Sequence, residues 1–468
     1  VRLSTLLLVP LLCAGLPTAS RAQDPQDAQD DAAAKRLRAA LDKGALWVRS
    51  LQQPNGSFQL PPNVDTLETN FPLGYCALAT LTLLKCGAAP DDPAIELAFN
   101  HLYTLPLRKT YEVSMLILAI EARFAPPEAA QDPEKKSYTT VARNFFARRA
   151  RPVDRDKLKA CVDWLVGHRS KQFDGSGWRY PEGEIDLDNS NTQYAMLALK
   201  SARRLGAEVP IEVFAAVADY FVAQQDALGP EVPWFAVPAA DGPIMEMLGL
   251  DKRRDAERAQ ARAREREERE GTRERARQPG ETLERMRMFA RGWSYEPREV
   301  KDAPPPGASR EGTTPPQTGT KVSTGSMTSS GVAALCIAKS ELETQPQHWR
   351  QRQGDVEAAI RDGVAWLAHH FNATENPRAD GGPTGWKYYY LYSVERAGVL
   401  AGTYRFGTHD WWEEGAAGLL PLQEPEGTWP DAKGLSRLAH TCFALLFLTR
   451  STIPLMPLPP KRIMTGGR

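Results

Sequence analysis

One cassette recurs along this chain of 468 residues. It consists of a helix-like stretch with an aromatic near its middle, an exit rich in Gln or His, a Gly-aromatic turn and a second, apolar helix. The clearest copies run from Ala45-Leu46-Trp47 to Gly56-Ser57-Phe58, from Val162-Asp163-Trp164 to Gly177-Trp178, from Val364-Ala365-Trp366 to Gly385-Trp386, and from Gly418-Leu419-Leu420 to Gly427-Thr428-Trp429. A unit that buries its apolar face only against its neighbours fixes an architecture before any single residue is weighed. Such an array absorbs in one body a length that would otherwise fill two or three domains.

The spacing predicts six helix pairs. First helices are expected near residues 35–53, 92–104, 156–169, 211–225, 355–371 and 411–423; second helices near 68–86, 110–123, 190–204, 326–341, 387–402 and 436–450. The second helices carry the denser apolar pattern, which suits an inner layer inside an outer one. They align without gaps: Thr192 to Leu199 lies over Thr441 to Leu448, with Tyr111 to Leu118 and Thr328 to Leu335 in the same frame more loosely.

Around this array, residues 1–22 read as an export signal: Arg2, an apolar run from Leu6 to Leu16 broken by Pro10, and Ser20-Arg21-Ala22 as a cleavage site. Cys13 follows Leu12 where a lipoprotein signal wants a small residue, so export without a lipid is expected. No later run approaches the roughly 20 apolar residues of a membrane-spanning helix. Residues 23–34 form an acidic leader, the array itself spans 35–455, and 456–468 is a basic tail.

Two surface insertions are expected, at 125–155 and 238–322. The second holds a charged arm, 251–277, and a Pro/Gly/Thr-rich loop, 304–324. The arm suits a solvated single helix or a disordered stretch, with a protein partner as the alternative. Arg291-Gly292-Trp293 is then the fourth repeat's displaced turn. Formal net charge is zero, so no global field recruits nucleic acid or an anionic membrane. Cys76, Cys86, Cys161, Cys336 and Cys442 lie in apolar stretches without CxxC spacing and read as core residues rather than as a disulfide framework.

Six helix pairs joined by Gln…Gly-x-Trp-type turns, such as Gln53…Gly56-Ser57-Phe58 and Gln423…Gly427-Thr428-Trp429, resemble the prenyltransferase and squalene-cyclase repeat superfamily. The resemblance runs from about Leu37 to Leu448 and implies an all-α (α/α)6 toroid in a bacterial, periplasmic or extracellular protein. It implies no single chemistry, because one scaffold hosts many.

The cyclase acid sits in a D-x-D-D-T motif, for which Asp186-Leu187-Asp188-Asn189-Ser190-Asn191-Thr192 is the nearest match. One register makes Asp188 the acid. The helical register, with Thr192 on the motif's threonine, puts Ser190 and Asn191 where the acid and its neighbour belong, and leaves Asp188 as a helix N-cap. The zinc of the protein prenyltransferases needs D-x-C, which is missing, and His440 and Cys442 stand about 200° apart on a helix. The thioester motif is absent too. No metal or cofactor is expected.

The fifth repeat offers Tyr388, Tyr392 and Glu395 on one helical stripe, followed by His409, Asp410 and Trp411. The phenols and Trp411 are candidate ligand contacts; Asp188, Glu395, His409 and Asp410 are candidate catalytic groups. The alternative is aromatic packing with Asp410 as another cap. The leading expectation is a non-catalytic toroid that binds a hydrophobic small molecule, a glycan or a protein at its central cavity or rim. The alternative is an enzyme, either cyclase-like through Asp188 or glycan-active through separated carboxylates.

Overall fold

The computed structural model describes residues 25–58, 70–126, 138–170, 175–180, 187–242, 287–297, 311–312, 319–430 and 436–456. The expected export signal, the charged arm 251–277, Asp186, most of the loop 304–324 and the tail beyond Met456 lie outside them.

These residues are mostly helical. One set of helices comprises α1 (Pro25–Ser50), α3 (Pro93–Thr104), α6 (Pro152–Gly167), α8 (Ile211–Gln224), α11 (Gln353–His370) and α13 (Trp411–Leu419). The second comprises α2 (Pro72–Lys85), α4 (Thr110–Arg123), α7 (Asn189–Arg204), α9 (Gly325–Leu342), α12 (Lys387–Leu400) and α14 (Arg437–Leu448). A short α10 (Pro346–Trp349) joins α9 to α11. Two antiparallel pairs of two-residue strands, β1 (Glu231–Val232) with β2 (Met288–Phe289) and β3 (Arg405–Phe406) with β4 (His409–Asp410), pin the connecting segments.

The second set forms the inner layer. Along the chain α2 packs on α4, α4 on α7, α7 on α9, α9 on α12 and α12 on α14, and α14 packs on α2, so the order of contacts returns to its start. The outer helices lie against them: α3 on α2, α6 on α4 and α7, α8 and α11 on α9, α13 on α12 and α14, and α1 on both α14 and α2. Inner helices are buried on every side, including polar residues such as Ser393, Glu395 and Arg396 of α12. Every residue of α12 from Tyr388 to Leu400 is buried, whereas α3 buries only Ile95, Ala98, Phe99 and Leu102.

The Gly-aromatic turn works as a two-ended staple. Trp178, Trp293 and Trp429 are fully buried. Each donates its indole N–H to the last turns of an outer helix, Trp178 to Leu165 O (2.8 Å), Trp293 to Phe221 O (2.7 Å) and Trp429 to Leu419 O (2.8 Å). Each main-chain N–H reaches a threonine in the first turns of the next inner helix: Thr192 (3.1 Å), Thr328 (3.2 Å) and Thr441 (3.2 Å). Orphaned carbonyls at a helix C-terminus and the entry to the following helix are tied by one residue.

A glutamine then links neighbouring repeats. The Nε2 of Gln52 donates to Ala94 O of α3 (2.8 Å), that of Gln225 to Ala359 O of α11 (2.9 Å), and that of Gln423 to Ala40 O of α1 (2.8 Å). In the first repeat this role falls to Gln52, while Gln53, the expected residue, bonds locally to Leu51 O. Gly56 (φ 87°) and Gly427 (φ 101°) press against the same neighbours: a Cβ would meet Leu97 O at 2.2 Å and Lys43 O at 2.5 Å.

Three expectations change. The leader is not a separate stretch, since α1 already begins at Pro25. The segment expected as a surface insertion at 125–155 contains α5 (Tyr138–Arg149), whose Ala142 and Phe146 are buried and which packs on α7. Gly385-Trp386 is no copy of the staple: Trp386 is 42 % exposed and takes a left-handed backbone (φ 70°) at the N-cap of α12. Among the described residues no disulfide links the five cysteines, and no helix is long and apolar enough to cross a membrane.

Candidate functional site

The inner helices all present their first turns to one cavity of about 850 Å³: Tyr75 and Leu78 of α2, Tyr111 and Met115 of α4, Ser190 of α7, Met327 of α9, Tyr389 of α12 and Phe443 of α14. Phe71, Tyr180, Tyr295 and Trp386 complete a wall of aromatic rings. The described lining holds hydroxyls, Asn376 and Arg378 but no carboxylate, and Arg378 is tied to Asp380 by two hydrogen bonds (2.7 and 3.0 Å).

A polar part of the wall lies at the start of α7. Asp188, wholly buried, precedes α7 and accepts from Asn191 N (2.8 Å) and Asn191 Nδ2 (2.7 Å), which makes it the N-cap of that helix. Ser190 Oγ donates to its Oδ1 (2.5 Å), and Tyr295 Oη approaches its Oδ2 (3.5 Å) while also sharing a short hydrogen bond with Tyr180 Oη. Arg179 stays 3.9 Å from the same carboxylate. Burial raises the Asp188 pKa, opposed by its Ser190 and Asn191 donors. Burial likewise raises the phenols of Tyr180 and Tyr295, which keeps them protonated.

The fifth-repeat candidates go elsewhere. Tyr388 Oη donates to Pro430 O (2.6 Å) and its ring lies on His440; Tyr392 stacks on Phe443 and under the Arg396 guanidinium (4.0 Å). Glu395 accepts from Thr452 N (2.9 Å) and Thr452 Oγ1 (2.6 Å). Trp411 is buried with its indole N–H on Thr403 O (2.9 Å), Asp410 caps α13 through Glu413 N (3.0 Å), and His409 pairs with Glu414 (3.1 Å). None of these six lines the larger cavity, and Asp188 reaches it only through Ser190, Tyr180 and Tyr295.

A smaller space of about 40 Å³ sits where the inner helices end, between Lys85, Glu121, Lys200, Arg204, Tyr392 and Arg396. The segment after α14 crosses this end, with Lys85 Nζ donating to Ser451 O (2.7 Å) and Arg204 to Ile453 O (3.1 Å). Basic groups there answer the partial negative charge of converging helix C-termini.

No protein-family model and no curated protein matches this chain. The geometry therefore carries the functional argument.

Sequence reasoning missed Trp386, Tyr389, Tyr180 and Tyr295. Tyr389 stands one residue from the expected stripe, about 100° round the helix. Among the described residues no group of three or more His, Cys, Asp or Glu side chains is placed to hold a metal ion.

Proposed function

We propose that this chain is an exported (α/α)6 toroid, like the prenyltransferase and squalene-cyclase repeat proteins it resembles, and that it binds an apolar small molecule in its central cavity without transforming it. The closed order of inner-helix contacts supports the toroid. The observation that carries the ligand class is the cavity of about 850 Å³ walled by aromatic and aliphatic side chains. Such a space, with few polar groups, suits an apolar ligand better than a glycan.

Catalysis by Asp188 is disfavoured because both its oxygens accept bonds that hold the start of α7. A proton on Oδ2 would cost the bond from Asn191 Nδ2, although the cap from Asn191 N to Oδ1 would stay.

Displacement of an apolar fluorophore from the purified protein tests the reading. The wild type should take up the dye, and long-chain apolar compounds should displace it. Met115→Trp fills the space from α4 and should weaken uptake at least tenfold while the far-ultraviolet dichroism stays unchanged. Equal uptake by the variant places the dye elsewhere and ends the proposal.

A further inference from the structure

Two groups of polar side chains line the cavity. Ser326, Asn376, Thr384 and Arg378 bond to one another or to Asp380, and the other corner narrows what an occupant must carry, an inference that rests on the binding role just proposed. Its hydroxyls run inward to a buried carboxylate. Ser190 Oγ–H points to Asp188 Oδ1 (2.5 Å), Tyr295 Oη lies 3.5 Å from Oδ2, and Tyr180 Oη is bonded to Tyr295 Oη. Ser190, Tyr180 and Tyr295 line the cavity, while Asp188 is fully buried behind them.

A carboxylate accepts only, so a chain of hydroxyls that ends on one orients its O–H bonds toward it. With Tyr295 donating to Asp188 and Tyr180 donating to Tyr295, Tyr180 Oη is the outermost oxygen and keeps the capacity to accept. That oxygen calls for a donor on the ligand.

Two ionic donors or acceptors fit poorly. A carboxylate head would be drawn by the helix N-termini and Arg378, but it has no proton to give the phenol oxygens and would face Asp188. An ammonium head would meet the N-terminal ends of all six inner helices, whose partial charge is positive, and Arg378 in the same wall. A neutral hydroxyl has neither conflict, and it can both donate to a phenol oxygen and accept in return. We propose that the cavity binds an apolar alcohol, with its hydroxyl on the Tyr180–Tyr295–Ser190 corner and its hydrocarbon body against the rings.

Dye displacement by four ligands of one chain length tests this: dodecan-1-ol, dodecane delivered from cyclodextrin, dodecanoate and dodecyltrimethylammonium. The alcohol should displace the dye best, roughly tenfold ahead of the hydrocarbon, the worth of one good hydrogen bond. Tyr295→Phe should remove most of that advantage and leave dodecane unchanged, and Tyr180→Phe provides the same test should the first variant fail to fold. If dodecane matches the alcohol, or if either charged ligand leads, the alcohol assignment is overturned while the apolar binding role stands. If none of the four displaces the dye, the binding role itself fails.

Discussion

Burial drives the Glu395 carboxyl from its ordinary 4.5 up to about 7, against the opposing pull of its two bonds from Thr452. Between these values the folded chain holds a proton that the unfolded chain has lost. The contribution of Glu395 to stability is therefore fully present below about pH 4.5 and is lost as the pH rises to about 7. Glu395→Gln keeps an acceptor for Thr452 N–H and removes the titration. Urea unfolding across that range should show a falling stability for the wild type and a flatter profile for the variant; parallel profiles would reject the assignment. This residue also shows why the fifth-repeat stripe misled. The i, i+4, i+7 spacing of Tyr388, Tyr392 and Glu395 is real, but a helix buried on every side gives no sign of which face meets the axis. Tyr388 and Tyr392 turn toward α14, and Glu395 toward the segment beyond it.

At the scale of elements, the tryptophan staple should be measurable one bond at a time. Thr441→Val keeps the shape of the side chain but leaves the buried Trp429 N–H without its acceptor. A loss of roughly 1–3 kcal/mol is expected in chemical denaturation. A variant as stable as the wild type would mean the threonine contributes only packing. Helix positions were largely legible: the stretch expected at 110–123 is Thr110–Arg123, and that at 190–204 is Asn189–Arg204. The gap-free alignment of Thr192 with Thr441 was legible as well, and its physical basis is the shared acceptor role toward a tryptophan N–H. What could not be read was which Gly-Trp pairs make the staple. Gly385-Trp386 has the same letters as Gly177-Trp178, yet its left-handed backbone turns the ring to the cavity instead. Nor did composition reveal α5, because a Lys- and Arg-bearing stretch can still bury one apolar edge.

At the scale of the molecule, the joint between the last repeat and the first decides whether the array closes. Gln423 reaches Ala40, and Gly427 lies where a side chain would strike Lys43 O. Gly427→Ala combines that clash with an unfavourable positive φ (101°), so a loss of roughly 2–4 kcal/mol is expected. Gln423→Ala should cost less, about 1 kcal/mol. Both should raise hydrogen exchange in α1 more than in α4, which has inner neighbours on both sides. Uniform exchange across the helices would argue that this joint is no weaker than the others.

That joint also sets an order of events during synthesis. Ala40 and Gln423 are 383 residues apart. At a synthesis rate of about 5–20 residues per second, α1 waits on the order of 20–80 s for the partner that completes its packing. Among the described helices α1 is made first and housed last: a side chain at Gly44 would meet Leu445 and Trp429, so that edge of α1 stays open until α14 arrives. A chain built this way has a standing need for something to cover that edge until its far end arrives.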